Sequence, residues 1–266
     1  MSLKNKYINK YLISDCPGEI PCLQFDRLLT HNDLIHGVFT RKGGVSRPPY
    51  DSLNVSFNTG DRHDHVGENL RLIKERIGAG HIMSMNQVHG TDIITLHRGN
   101  CSDLSTRSAD AIIIDIPMLG VMVKQADCQG VIIFDPVKSA VAAVHCGWRG
   151  NVQNILGAVV NRMRSEFGCN PEYMKAAIGP SLGPCCAEFT TYRDIFPEEF
   201  HGFIVGDSHF DLWEISRMQL LRAGLMEDNI EIAGICTKCN RDLFYSYRGE
   251  GDTGRFGTVA MIKDSG

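Results

Sequence analysis

Four short apolar runs follow one another in the middle of the chain: ADAIIID (109–115), GVMVKQ (120–125), GVIIFD (130–135) and AVAAVH (140–145). Each is too short for a buried helix and is bounded by turn residues, so each reads as a strand. The turns between them are too short to hold a crossover helix, which sets this block apart from a regular βαβ repeat. Immediately afterwards the period changes. Val152, Ile155, Leu156, Val159, Val160, Met163 and Phe167 fall on one face of a helix predicted from Asn151 to Phe167, before Gly168.

The same reasoning extends outward. LIHGVFT (34–40) is a strand entering the turn Arg41-Lys42-Gly43-Gly44, and Val66, Leu70, Ile73 and Ile77 mark a helix over 66–77. Strands are expected at 82–87, 92–97, 174–179, 230–235 and 256–262, and Asp211 with Glu214 forms a capping box for a helix reaching Gly224. No repeat, linker or low-complexity tract interrupts the pattern. The expected fold class is therefore α+β: a single domain of mixed β-sheets flanked by helices, spanning 34–266 behind an N-terminal segment, 1–33. With 266 residues and 43% hydrophobic content, one large core is affordable.

A net charge of −4 argues against a nucleic-acid partner, and no apolar run approaches the ~20 residues that cross a bilayer. Lys4, Lys6 and Lys10 precede no apolar signal region, so a cytoplasmic protein is expected. In that reducing setting the ten cysteines should be free, adjacent Cys185 and Cys186 included.

Three residues sit where a strand meets a Gly-containing turn: His89 in NQVHG, Cys128 in QADCQG and His145 in VHCGWRG. Two imidazoles and a thiolate are a three-ligand set for a catalytic zinc, with a fourth position left for water or substrate. Taken singly, Cys128 reads first as a buried core cysteine, a reading weakened by the adjacent Asp127, and His145 reads equally as part of a tight βα connection. Arg149, in the turn before the long predicted helix, is a candidate anion ligand, as is Arg41 beside Gly43-Gly44. Asn86 is a candidate for a base edge, and Asp127 for orienting a ligand or accepting a proton. Other patterns carry less. Cys236-Thr237-Lys238-Cys239 is one CxxC without a second CxxC or an HxxxH, so no structural zinc site is expected there. His63-Asp64-His65 is a single HxH among ten histidines, too few convergent imidazoles for a multicopper cluster. H-x-E, GxGxxG and the P-loop are all missing.

HGVFTRKGGVS, NQVHG, SADAII, ADC, VAAVHCGWRG, IGPSLGPCC, FDL and TGR also occur in a telling order. Over roughly 34–262 the chain resembles the laccase-domain family, also called multicopper polyphenol oxidoreductase-like, peptidoglycan editing factor or broad-specificity purine nucleoside phosphorylase. The resemblance implies a zinc held by His89, Cys128 and His145, with copper as the alternative metal. It also implies phosphorolysis of adenosine, inosine and methylthioadenosine, with adenosine deamination. The expected partners are purine nucleosides and phosphate, and the expected assembly is a monomer or homodimer. Two further readings follow from the same residues: an amidohydrolase of cell-wall precursors using Cys128 and a histidine, and a copper-dependent polyphenol oxidase. Departures from the family pattern surround the ligands without replacing them: Gln125 before ADC, Cys146 after His145, and Tyr247-Arg248-Gly249-Glu250 before TGR.

Overall fold

The computed structural model describes residues 11–14, 20–99 and 107–264; Lys4, Lys6 and Lys10 lie outside them. Its strands in chain order are β1 (Tyr11–Ser14), β2 (Cys22–Phe25), β3 (Leu34–Phe39), β4 (His81–Ser84), β5 (Ile93–Leu96), β6 (Ala111–Ile114), β7 (Leu119–Gln125), β8 (Gln129–Asp135), β9 (Ala140–Cys146), β10 (Lys175–Ile178), β11 (Ile204–Val205), β12 (His209–Phe210), β13 (Ile230–Ile232) and β14 (Phe256–Ile262). The helices are α1 (Asp26–Leu29), α2 (His63–Ile77), α3 (Trp148–Val152), α4 (Ile155–Phe167), α5 (Tyr192–Ile195), α6 (Leu212–Arg222) and α7 (Tyr247–Glu250).

Among the described residues the strands form two six-stranded sheets, ordered β1-β2-β3-β14-β7-β4 and β13-β10-β8-β9-β6-β5, beside the small pair β11-β12. Both large sheets are mixed. The β4–β7, β5–β6 and β10–β13 pairs are parallel and the others antiparallel. The α+β class read from the sequence is the class observed.

The continuity of the apolar runs has a simple cause: each central strand is buried on both faces. Ile112, Ile132, Phe134, Val141 and Ala143 point between the sheets, against Val121, Val123 and Ala260. Their neighbours Ile113, Val131, Ile133, Ala142 and Val144 point the other way, onto Ile155, Leu156, Val159 and Val160 of α4. On the far side of the first sheet, Ile73 and Ile77 of α2 cover Met122, Val259 and Met261. The layers therefore run helix, sheet, sheet, helix. Truncating an inter-sheet residue such as Ile132 to Ala should cost about 2–5 kcal/mol.

One expectation needs correction. The helix predicted from Asn151 is two helices, because Asn154 adopts the left-handed region at φ 57° and its side chain accepts the Gly157 N–H. Asparagine tolerates that conformation better than most residues. Residues before 34 contribute to the first sheet, since Cys22 and Leu23 pair with Phe39 and Val38. The Asp211 cap is formed as expected, accepting the Glu214 N–H at 3.1 Å. No helix among the described residues is long and apolar enough to cross a membrane.

Candidate metal and active site

His145 continues the inter-sheet face of β9, two residues past Ala143, and is 3% exposed. Cys128 lies in the turn joining β7 to β8, next to Asp127 at φ 91°. His89 lies between β4 and β5 at φ 60°. That uncommon backbone is held by one carboxylate. Asp110, fully buried, accepts the N–H groups of Val88 at 3.3 Å, His89 at 3.0 Å and Gly90 at 2.6 Å. Its Oδ1 also lies 2.8 Å from His145 Nδ1. A carboxylate there fixes the tautomer with the proton on Nδ1 and leaves Nε2 as the free donor atom of His145.

Asp110 thus sets both histidines, and the sequence reading passed over it. Burial pushes its carboxyl up, but the bonds from His145 and the Gly90 N–H outweigh this and hold it below its ordinary range.

The donor atoms of His89, Cys128 and His145 all lie within 4.8 Å of one another. Cys128 Sγ is 3.9 Å from His89 Nε2. A tetrahedral zinc with ordinary bond lengths would place its sulfur and nitrogen ligands about 3.6 Å apart. The set therefore fits zinc in spacing and donor chemistry. Gly147 makes room for it: a Cβ there would meet Cys128 Sγ at 2.9 Å and His89 Cδ2 at 3.2 Å. Without metal the pair is already polarised. Burial alone would raise the Cys128 thiol, yet the charge of His145 brings it down to about 6. Burial alone would lower His145, yet the Cys128 thiolate and Asp110 bring it up to about 9.

These three residues line a cavity of about 640 Å³, within the range of small-molecule sites. Lys124, Arg149, Arg248 and Arg255 also line it, with the rings of Trp148, Phe189 and Tyr247. Arg255 is fixed by donating to the Thr253 and Gly254 carbonyls at 2.8 and 2.9 Å. Arg248 donates to the Glu188 carbonyl at 2.9 Å. Arg149 sits over Trp148, 5.0 Å from the ring centre. Asn86 lines the cavity, and its side-chain nitrogen donates to Ser108 Oγ at 3.4 Å.

Two predicted residues behave differently. Arg41 is not among the residues lining this cavity. Its guanidinium is paired with Glu250 at 2.8 Å, donates to the Asp51 and Arg241 carbonyls, and lies 4.4 Å above the Tyr245 ring centre. The adjacent Gly44 is there for packing, since a Cβ would meet the Ser52 carbonyl oxygen at 2.3 Å. Asp127 lines the cavity, but its carboxylate accepts from Thr237 Oγ1 at 2.6 Å, Ser246 Oγ at 2.7 Å and the Arg248 N–H at 2.5 Å. It braces the short helix α7, which carries Arg248. Arg149 belongs to the short helix α3, so its contribution is its own charge rather than a long helix dipole.

The sequence model of the family described as "Multi-copper polyphenol oxidoreductase laccase" matches residues 35–263. A protein of Bacteroides thetaiotaomicron named "Purine nucleoside phosphorylase" is 32% identical over 261 residues, covering 90% of this chain and 96% of its own. "Purine nucleoside phosphorylase YfiH" of Escherichia coli is 34% identical over 234 residues, covering 84% and 91%. The crystal structure of YlmD from Geobacillus stearothermophilus superimposes with a TM-score of 0.84 at 25% identity, over 96% of this chain and 100% of that one.

Proposed function

The chain belongs to the multi-copper polyphenol oxidoreductase laccase family, and from that membership and the chemistry of its cavity we propose that it is a metal-dependent purine nucleoside phosphorylase. The observation that carries the reading is a two-histidine, one-cysteine donor set lining the same cavity as four cations and three aromatic rings. Relatives covering most of the chain bear the name of that activity.

In phosphorolysis a phosphate oxygen bonds to the ribose C1′ as the C1′–N bond to the purine breaks. The purine leaves with the bonding electrons and takes up a proton. Fixed cations offset the charge of incoming phosphate, and their value is greatest where water is excluded. Arg149, Arg248 and Arg255 are assigned to phosphate. Trp148, Phe189 and Tyr247 offer faces on which a purine can stack, and Asn86 an amide for its edge. His89, Cys128 and His145 would hold zinc, which when bound supplies a Lewis acid and an activated water. With such a water the cavity would also have the chemistry that adenosine deamination needs, in which water replaces the C6 amino group and ammonia is released.

One alternative has an observation of its own. Cys128, His145 and Asp110 stand in the order nucleophile, base and orienting carboxylate, as a cysteine amidohydrolase requires. A polyphenol oxidase is less well supported. Among the described residues the only metal-binding group that contains histidine offers one position, not the several of a multicopper cluster.

The test is a product analysis of the zinc-loaded protein. Inosine should give hypoxanthine and ribose 1-phosphate only when phosphate is present, and adenosine should give inosine without it. Cleavage of an amide-linked muramyl precursor by metal-free protein, with nucleosides untouched, would replace this reading with the hydrolase.

A further inference from the structure

The Cys236–Cys239 turn does not stand alone. Its missing partner pair is Cys185-Cys186, brought beside it from more than fifty residues away. The Sγ atoms of Cys185 and Cys186 lie 3.6 and 3.5 Å from that of Cys239, and all four sulfurs lie within 4.8 Å of one another. None is in a disulfide.

Two loops are built to make this happen. The Ser181 N–H donates to the Ile235 carbonyl at 3.1 Å, and the Thr237 N–H returns to the Ser181 carbonyl at 3.0 Å. Gly183 lets the strands close up, because a Cβ there would meet Trp213 at 2.7 Å and Cys236 Cβ at 3.0 Å. Asn240 ties the turn from behind, its backbone and side-chain nitrogens both donating to the Cys236 carbonyl. Cys236 is buried and Cys186 half-buried, while Cys185 and Cys239 face solvent.

We propose that Cys185, Cys186, Cys236 and Cys239 form a second metal site, a closed four-thiolate zinc site distinct from the histidine–cysteine centre. Four sulfurs around one zinc stand about 3.8 Å apart, given zinc–sulfur bonds of about 2.3 Å. Spacings of 3.6 and 3.5 Å at Cys239, with all four sulfurs within 4.8 Å, are compatible with such a site. A four-iron cluster binds each cysteine to a different iron and needs a wider cage. With all four positions taken by protein, no place is left for water or substrate, so the role is structural. Binding releases the thiol protons to solvent, and the affinity becomes folding free energy.

What this zinc would hold is the wall of the cavity. Leu182 and Phe189 line the cavity from the loop of Cys185 and Cys186, and Tyr247 and Arg248 from the segment that follows Cys239. Asp127, beside Cys128, is bonded from both sides, by the Leu182 N–H and by Thr237 Oγ1. A clamp across the two loops fixes Arg248 without touching the reacting groups.

The experiment is metal analysis of the full chain purified anaerobically. About two zinc per chain are expected in the wild type, from one three-ligand and one four-ligand site. Cys128→Ala should lose one, and Cys239→Ser should lose the other. Cys185 and Cys239 are exposed, so serine at either should leave the core undisturbed, and Cys185→Ser serves as an independent check. In cobalt-substituted Cys128→Ala the intense thiolate-to-metal absorption of a four-sulfur site should persist, and in Cys239→Ser it should vanish. A single zinc that leaves with Cys128→Ala and is unaffected by Cys239→Ser overturns the proposal. So does a disulfide among the four cysteines in the anaerobic protein.

Discussion

Replacing Asp110 by Asn removes one charge and almost no volume, yet it should cripple metal binding. Oδ1 faces the His89 N–H and His145 Nδ1; Oδ2 faces the Val88 and Gly90 N–H groups. Every neighbour at those oxygens is a donor. Whichever way the amide turns, its NH₂ meets two donors. If it faces Oδ2's partners, the Gly90 bond of 2.6 Å becomes a repulsion and the His89 loop loosens. If it faces Oδ1's, His145 must accept on Nδ1 and carry its proton on Nε2, the nitrogen needed by the metal. Two charge-assisted bonds lost at about 1.5–3 kcal/mol each give a destabilisation of about 3–6 kcal/mol. Loss of an outer carboxylate on a ligand histidine weakens metal affinity by about 10- to 100-fold, or about 1.4–2.7 kcal/mol. Competition against a chromophoric chelator would measure that affinity, with a melting curve on the same sample. A lowered melting temperature with zinc affinity within threefold of wild type would show that Asp110 merely braces a loop, and the tautomer argument would fail.

The other predictions concern the lining of the same cavity. Gly147→Ala should weaken zinc binding about tenfold or more, because its Cβ falls 2.9 Å from Cys128 Sγ and misplaces a ligand; unchanged affinity in a chelator titration would refute the packing argument. Arg149→Ala and Arg255→Ala should raise the apparent KM for phosphate about tenfold, the scale of one charge-assisted bond, whereas Arg41→Ala should lower stability and leave that KM unchanged. Steady-state kinetics with phosphate varied decides this, and the reverse pattern would restore Arg41 to the site. In metal-free protein, Cys128 should react with iodoacetamide with a midpoint near pH 6, since its thiol is held at about 6; a midpoint in the ordinary range of about 8.5 would contradict the His145 pairing. The stability linkage has two limbs. The depressed thiol stabilises the fold above the free-thiol range and loses that contribution as pH falls through about 6, and the raised His145 stabilises it below the free-imidazole range and loses it as pH rises through about 9. Between those values the two slopes oppose each other, so this pair should leave the stability of the metal-free protein nearly independent of pH there.

The central strands were legible because burial on both faces writes itself as an uninterrupted apolar run. The three donor residues were legible because they fall at strand ends beside glycines. What escaped depends on pairings that no local pattern records. Asp110 is one more polar residue in SADAII, and only the β6–β9 pairing turns it toward His145. Asn154 looks like an ordinary helical position until its left-handed backbone splits the helix. The Gly43-Gly44 turn has the composition of an anion loop, but Gly44 is packed against backbone and Arg41 is spent on Glu250. Arg255 stands in the TGR motif, yet nothing local says that it reaches a cavity lined by Cys128. The CxxC looked solitary because its partners are adjacent cysteines, a spacing outside the familiar zinc patterns.

The central claim is that one cavity brings phosphate to a nucleoside beside a metal held by His89, Cys128 and His145. It is tested most directly by following inosine and inorganic phosphate by phosphorus NMR with the zinc-loaded protein. The account predicts a growing ribose 1-phosphate resonance matched mole for mole by hypoxanthine, and neither product with His89→Ala or His145→Ala. Hypoxanthine formed at the same rate without phosphate, or ribose 1-phosphate still formed by both histidine variants, would contradict it.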